Sequence, residues 1–200
     1  MKLIISTTSP YARKARVLLR EKGLQSTVSE VITNVYESEL VNEYNPLGRV
    51  PVLIDQGSTI YDSIVICQYL NNYDATQQPA AGDATAMTWD TQIRTALADG
   101  VIDSALQVVM EYRRPTESQS EMVIKRQSAH IMRGLVACEE KIASFKTNFD
   151  IPSIGLACAL SYLDFRLPHM NWRDKNNNLA TWFHGISQYS SMQETEFKII

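Results

Sequence analysis

The stretch over residues 45–53 reads Asn45-Pro46-Leu47-Gly48-Arg49-Val50-Pro51-Val52-Leu53 and combines a turn with the start of a strand. Its asparagine, proline and glycine are turn residues, and the apolar run after them predicts a strand over residues 50–54 with Pro51 near its start. An X-Pro bond in a tight turn can be cis, although most such bonds are trans. A cis bond at Pro51 would leave the backbone of Val50 free to pair with an extended ligand instead of a neighbouring strand.

Strand and helix signals alternate on both sides of this turn. Residues 3–5 predict a short buried strand, and Ser9-Pro10 is typical of the N-cap and first turn of a helix that ends at Gly23. A second strand is predicted over residues 28–32. Residues 55–61 predict a hairpin, after which Ser63 begins another helix. The sequence therefore predicts an α/β domain over residues 1–75.

Beyond this domain, the signals are helical almost without interruption. The polar residues 76–83 predict a linker, and apolar side chains recur every three or four residues over much of 84–200. They predict two long antiparallel helices, then a helix capped by Asp150 that is apolar nearly all round and therefore buried, and a last amphipathic helix over 179–189. The second domain is predicted to be all-helical.

Composition and charge exclude several classes of protein. The chain has 200 residues, of which 44% are hydrophobic and 20% charged, which is typical of a globular protein and not of a disordered or fibrous one. A formal net charge of −3 argues against a nucleic-acid partner or a polybasic membrane protein. The longest apolar stretch, residues 151–163, is too short and interrupted to span a bilayer.

Short motifs narrow the chemistry further. The sequence has no G-x-G pair, no Walker loop and no G-x-S-x-G elbow, and its three histidines lack the spacing of a zinc site. With this histidine spacing, we expect no metal. The three cysteines form no C-x-x-C, so we expect reduced thiols. No secretory signal pattern opens the chain, so we expect a cytoplasmic location.

Two helix starts in the first domain have the chemistry to bind a small ligand. The Ser9 hydroxyl lies at the positive end of a helix dipole, where it can hold a thiolate. Asp62 can accept from an ammonium group, and Ser63 offers a hydroxyl and free N–H groups to a carboxylate, so the pair suits an α-amino acid. Taken alone, each residue is more commonly an ordinary helix cap.

These segments, in this order, resemble the glutathione S-transferase superfamily, specifically bacterial cytosolic members related to the theta, zeta and omega types. The resemblance covers nearly the whole chain. It is carried by residues 9–24, 45–53, 62–63, 96–100, 114–115 and 156–166.

The resemblance implies a thioredoxin-like N-terminal domain, an all-helical C-terminal domain that forms the second-substrate pocket, and glutathione bound between them as co-substrate. It also implies a homodimer. Val50 would pair with the cysteinyl part of glutathione, and Pro51 would be cis. Asp62 and Ser63 would hold the γ-glutamyl head, and Arg49 falls beside the expected glycine carboxylate, although a flexible surface arginine is an equally good interpretation.

The implied function is transfer of glutathione to a small electrophile, as in detoxification. A serine hydroxyl is too weak a base to take the thiol proton, so Ser9 would donate a hydrogen bond to the sulfur once it is ionised. Thr7 and Thr8 crowd the same turn and remain alternatives. The absence of cysteine at Ser9 and Ala12 disfavours a dithiol cycle. A glutathione-dependent disulfide or peroxide reductase and a non-catalytic binding or stress-regulatory protein stay open.

Overall fold

A computed structural model of the protein describes residues 1–36, 39–73 and 87–199. The chain divides into two compact units, Met1–Met87 with Ser190–Ile200, and Thr88–Tyr189. This grouping differs from the predicted domains at the C-terminus, where the last residues pack with the first unit because they bind side chains of its first helix. The predicted linker, residues 76–83, lies outside the described residues.

The first unit is built on a four-stranded sheet. Its strands and helices are β1 (Lys2–Ile5), α1 (Pro10–Glu21), β2 (Ser29–Ile32), α2 (Leu40–Tyr44), β3 (Val52–Asp55), β4 (Ser58–Ile60) and α3 (Ser63–Asn71). The strand order is β2-β1-β3-β4, with β1 parallel to β2 and antiparallel to β3, and β3 antiparallel to β4. This mixed sheet with its helices confirms the predicted thioredoxin-like domain.

The core of this unit follows from the apolar runs in the sequence. Leu3, Ile4 and Ile5 of β1 are fully buried, and Ile4 packs with Val41 and Val52 in one cluster. Val41 belongs to α2, a helix that the sequence did not predict. Because α2 has five residues and Val41 is its buried residue, it has no periodic apolar pattern to detect.

The second unit consists of helices, as predicted. They are α4 (Trp89–Tyr112), α5 (Glu121–Glu140), α6 (Ile151–Arg166) and α7 (Asn177–Ile186), with α4 packed against both α5 and α6. Residues 151–160 of α6 are all buried, which confirms the prediction of a buried central helix. Its N-cap is Asp150, whose Oδ1 accepts from the Ser153 N–H at 3.1 Å and from the Ser153 hydroxyl at 2.5 Å.

Among the described residues, the last helix is α8 (Ser190–Glu194), which belongs to the first unit and is followed by non-helical residues. The sequence predicted a single last helix over 179–189, whereas α7 ends at Ile186 and α8 begins four residues later. Among all the helices that the structure describes, none combines the length and the apolar character needed to cross a membrane.

Candidate functional site

The turn between β1 and α1 contains the predicted Ser9. Ser9 has an extended backbone and caps α1, with its Oγ accepting from the Ala12 N–H at 3.2 Å. The Ser9 N–H donates to the Ser6 carbonyl at 3.2 Å, which closes the turn over residues 6–9. Since Oγ is an acceptor in the capping bond, the hydroxyl proton of Ser9 remains available, and no acceptor for it lies among the described residues.

The other hydroxyls of this turn are engaged differently. Thr7 Oγ1 donates to the Lys198 carbonyl at 2.7 Å, so its proton is used within the protein. The hydroxyls of Ser6 and Thr8 share a hydrogen bond of 3.2 Å. The Thr7 proton is therefore engaged within the protein, whereas Ser9 keeps its hydroxyl proton and lies at the N-cap of α1.

The second predicted segment is a turn that leads into β3. Asn45 closes it with two side-chain bonds, donating from Nδ2 to the Arg49 carbonyl at 2.8 Å and accepting at Oδ1 from the Leu47 N–H at 3.0 Å. The bond between Val50 and Pro51 is cis. Neither the N–H nor the carbonyl of Val50 has a hydrogen-bond partner among the described residues, as an extended ligand would require.

The third segment is the start of α3. Asp62 is the N-cap, and its Oδ1 accepts from the Ile64 N–H at 3.1 Å. Ser63 is only 4% exposed, yet neither its N–H nor its hydroxyl is bonded to any residue that the structure describes. The Tyr61–Asp62 peptide is also cis. These unpaired groups at a helix N-terminus favour an anionic ligand such as a carboxylate.

The sheet topology brings these three segments to one end of the first unit. β1 runs antiparallel to β3 with Ile4 opposite Val52, and β3 runs antiparallel to β4 with Leu53 opposite Ile60. The end of β1, the start of β3 and the end of β4 therefore lie along the same edge of the sheet. The turn of Ser9, the backbone of Val50 and the start of α3 follow directly from these strand ends.

The charge at this edge suits an anion. α1 carries no acidic residue at its N-cap or in its first turn, so its positive helix end is uncompensated, whereas the N-terminus of α3 is capped by the Asp62 carboxylate. Arg49 is exposed beside the cis bond. Within the described ranges, no three His, Cys, Asp or Glu side chains are grouped so that they could hold a metal ion.

The sequence-based predictions did not give the structural roles of two residues at the site. Asn45 was taken only as a turn former, whereas its buried side chain anchors the turn that presents Val50. Thr7 was a candidate for the sulfur contact, whereas its hydroxyl binds the C-terminal residues. An Asn-Pro-x-Gly turn is a signal for the first, but nothing local in the sequence signals the second.

Comparisons with known proteins agree with this geometry. Residues 8–72 match the family model "Glutathione S-transferase, N-terminal domain", and residues 121–185 match "Glutathione S-transferase, C-terminal domain". The chain is 33% identical over 201 residues to the "Uncharacterized GST-like protein YibF" of Escherichia coli K12, with 98% of each chain covered.

Two solved structures resemble the chain over nearly its whole length. A glutathione transferase family member from Pseudomonas fluorescens Pf-5 with bound glutathione is 37% identical, with 99% of each chain covered and a TM-score of 0.89. A glutathione S-transferase from Methylobacillus flagellatus KT with glutathione bound is 35% identical, with 98% of each chain covered and a TM-score of 0.85. The chain belongs to the glutathione S-transferase family, which confirms the resemblance noted in its sequence.

Proposed function

We propose that this protein binds reduced glutathione, stabilises its thiolate with the Ser9 hydroxyl and transfers it to a small electrophile. The observation that carries the proposal is the free hydroxyl proton of Ser9 at the N-terminus of α1, at the same sheet edge as the unpaired groups of Val50 and Ser63. The related proteins that contain bound glutathione support this choice of ligand.

Each unpaired group has a complementary part of glutathione. The Val50 N–H and carbonyl pair with the cysteinyl backbone, which is extended like a strand, next to the cis Pro51. Ser63 binds the γ-glutamyl carboxylate, and the Asp62 carboxylate binds the γ-glutamyl ammonium group. Arg49 lies beside the glycine carboxylate. The proposed co-substrate is held without a metal.

The chemical step that Ser9 assists is ionisation of the thiol. A free cysteine-like thiol with a pKa of about 8.5 is only a few per cent thiolate at neutral pH. A charge-assisted hydrogen bond from Ser9, worth about 1.5–3 kcal/mol, lowers that pKa by about one to two units. The thiolate then becomes a major species and attacks the electrophile, so Ser9 needs to donate a hydrogen bond and does not need to abstract a proton.

The proposal includes a homodimer in the cytoplasm with a role in detoxification. Trp89 is 79% exposed and Ile93 is 58% exposed, one helical turn apart on α4, and Val65 of α3 is exposed in the first unit. Large apolar side chains that face water in this way are typical of an interface. The three cysteines are buried thiols without a disulfide, which suits a reducing compartment.

The experiment that tests the function is a titration with reduced glutathione. Heat of binding and the ultraviolet absorbance of the thiolate are followed together across pH, and conjugation to a model aryl halide is measured on the same preparation. We expect saturable binding with a dissociation constant of about 1 mM or lower and a thiol pKa at least about one unit below that of free glutathione. Binding without ionisation would indicate a carrier or regulatory protein, and absence of binding would reject the proposal.

A further inference from the structure

The C-terminal residues 190–199 lie along α1 and are bound there by three arginines. Arg13, Arg16 and Arg20 are spaced three and four residues apart, so they share one face of the helix. All three donate to the C-terminal residues. The bonds are Arg13 Nη2 to the Met192 carbonyl at 2.8 Å, Arg13 Nε to Thr195 Oγ1 at 3.3 Å, Arg16 Nη1 to the Thr195 carbonyl at 3.4 Å and Arg20 Nε to Glu194 Oε2 at 3.0 Å.

The contact between Arg13 and the C-terminal residues is buried. Arg13 is only 3% exposed, and Met192 and Thr195 are buried with it. A buried guanidinium group must have its N–H groups bonded, because leaving them unpaired is unfavourable. The Phe197 ring covers the same group, with its centroid 4.7 Å from the Arg13 Cζ. The C-terminal residues are therefore held on α1 and do not form a loose tail.

The far end of this segment meets the turn that contains Ser9. The Thr7 hydroxyl donates to the Lys198 carbonyl at 2.7 Å, and the Lys198 N–H donates to the Thr7 carbonyl at 3.4 Å. The two bonds run in opposite directions between the same two residues, so they fix both the side chain and the peptide of Thr7. Thr7 itself is buried.

Thr7 belongs to the same closed turn as Ser9. The Ser9 N–H binds the Ser6 carbonyl, so a displacement of Thr7 moves the whole turn over residues 6–9. Hydrogen bonds weaken steeply as the donor–acceptor distance grows or the bond departs from linearity. A small change in the position or orientation of the Ser9 hydroxyl therefore changes the energy of its bond to a thiolate.

We propose that the C-terminal residues 190–199 are a positioning element for Ser9, acting through the paired bonds between Thr7 and Lys198. Thr7 is then a positioning residue that does not touch the sulfur, and the α1 arginines hold the segment that fixes it. This inference rests on the proposed role of Ser9 as the donor to the glutathione thiolate. It predicts that a change at the end of the chain alters the ionisation of glutathione without altering the residues that bind it.

Two pairs of full-length variants separate this role from general loss of structure. Thr7→Val removes the hydroxyl and keeps the shape of the side chain, whereas Thr7→Ser restores the hydroxyl. Lys198→Pro removes the N–H that donates to Thr7, whereas Lys198→Ala keeps both backbone groups and removes only the exposed side chain. The readouts are the pKa of the bound thiol, followed by ultraviolet absorbance, and the values of kcat and KM for glutathione across pH.

We expect Thr7→Val and Lys198→Pro to raise the pKa of the bound thiol by about half to one unit, which lowers kcat about 3- to 10-fold at a pH below that pKa. The KM for glutathione should change by less than about twofold, because the groups at Val50 and Ser63 are untouched. Thr7→Ser and Lys198→Ala should match the wild type in both readouts.

The outcomes distinguish this inference from the proposed function. If the wild type binds no glutathione thiolate, both are rejected. If the wild type does and the folded Thr7→Val and Lys198→Pro variants keep the thiol pKa within about 0.2 units, only the positioning role is rejected. An equal shift in Lys198→Ala and Lys198→Pro would also reject it, because the side chain would then be responsible. If either Thr7→Val or Lys198→Pro fails to fold, the thiol pKa of the other variant tests the positioning role.

Discussion

Asn45 donates from its side-chain amide to the carbonyl of Arg49 at 2.8 Å, across the turn that leads into Val50. Asn45 is 2% exposed, and its Oδ1 accepts from the Leu47 N–H at 3.0 Å, so both ends of one amide are used inside this turn. The backbone that we expect to pair with glutathione is therefore positioned by the buried side chain of Asn45.

Asn45→Ala should lower the free energy of unfolding by about 1–3 kcal/mol, because it leaves the Arg49 carbonyl and the Leu47 N–H without their partner. It should also raise the dissociation constant of glutathione, because the turn that presents Val50 loosens. Urea unfolding and calorimetric titration measure the two effects. Asn42→Ala is the matched control, since the Asn42 amide bonds to Glu39 at an exposed position and its loss should change stability by less than about 0.5 kcal/mol.

Ser9→Ala should reduce turnover more than affinity. The hydroxyl is expected to contact only the sulfur, so its loss should lower kcat about tenfold to a hundredfold, as removal of one charge-assisted hydrogen bond does. The dissociation constant of glutathione should stay nearly the same. Because Ser9 also caps α1, stability should fall by about 0.5–2 kcal/mol, and activity must be measured where the variant is fully folded.

Thr8→Ala and Ser9→Thr are the controls for this change. Thr8 shares its hydrogen bond with Ser6, so its loss should leave kcat nearly unchanged, and Ser9→Thr should restore part of the turnover. Turnover of Ser9→Ala within about threefold of the wild type, less than about 1 kcal/mol of barrier, would move the role to Thr7 or Thr8.

Ser63→Ala should reduce affinity for glutathione more than turnover, in contrast to Ser9→Ala. The Ser63 hydroxyl has no hydrogen-bond partner among the described residues, so its removal should leave stability almost unchanged. Loss of a hydrogen bond to the γ-glutamyl carboxylate should raise the dissociation constant about tenfold or more. Ser58→Ala, on the exposed strand β4, should leave binding as in the wild type. Unchanged affinity of the Ser63 variant would reject its role at the head group.

The ion pairs of Glu30 should make the free energy of unfolding depend on pH. Burial raises the pKa of the Glu30 carboxyl, but hydrogen bonds and positive charge from Arg20 at 2.6 Å and Arg16 at 2.8 Å outweigh burial and lower the pKa below its ordinary value of 4.5. The charged form is thus favoured by folding. Its contribution is complete above the unfolded pKa and is lost as the pH falls through the lowered pKa of the folded protein.

Glu30→Gln should therefore lower the free energy of unfolding most at neutral pH, by about 1.5–3 kcal/mol, since it removes the charged partner of Arg16 and one of the two carboxylates bonded to Arg20. The difference from the wild type should shrink as the pH falls below about 4.5. Urea unfolding over a pH series measures it. Glu21→Gln, at an exposed position near the end of α1, is the control. A difference that stays constant with pH would contradict the assigned ion pairs.

The sequence was informative where local chemistry determines the structure. Ser9 and Asp150 were predicted as N-caps because a cap depends on a side chain and the next few residues, and both cap the expected helices. The strand order that places the end of β1 next to the start of β3 was not predicted in this way, because it depends on pairing between distant segments. The short-range signals located the individual segments, and the resemblance to a known family combined them into one candidate site.

Contacts between distant parts of the sequence could not be predicted. Thr7 and Lys198 are 191 residues apart in the chain, and neither residue has a local pattern that indicates a partner. Nothing in the sequence of α1 indicates that Arg13 and Arg16 are covered, whereas both are buried and donate to the C-terminal residues. Their role appears only when the fold brings the end of the chain to α1.

Two glycines of the helical unit give a matched test of its packing. A Cβ added to Gly134 of α5 would lie 2.7 Å from Cγ2 of Val101 on α4, whereas a Cβ added to Gly100 of α4 would meet no atom within 4 Å. Val101 is buried and β-branched, so it has little freedom to move away.

Gly134→Ala should therefore lower the free energy of unfolding by about 1–3 kcal/mol through overpacking of α4 against α5. Gly100→Ala should raise it by about 0.5–1 kcal/mol, because alanine is the better helix former and the added methyl group meets no obstacle. Urea unfolding of the two variants measures both signs against the wild type. Equal stabilisation of both would mean that α4 and α5 separate at no cost, and the close contact at Gly134 would then not determine how these helices pack.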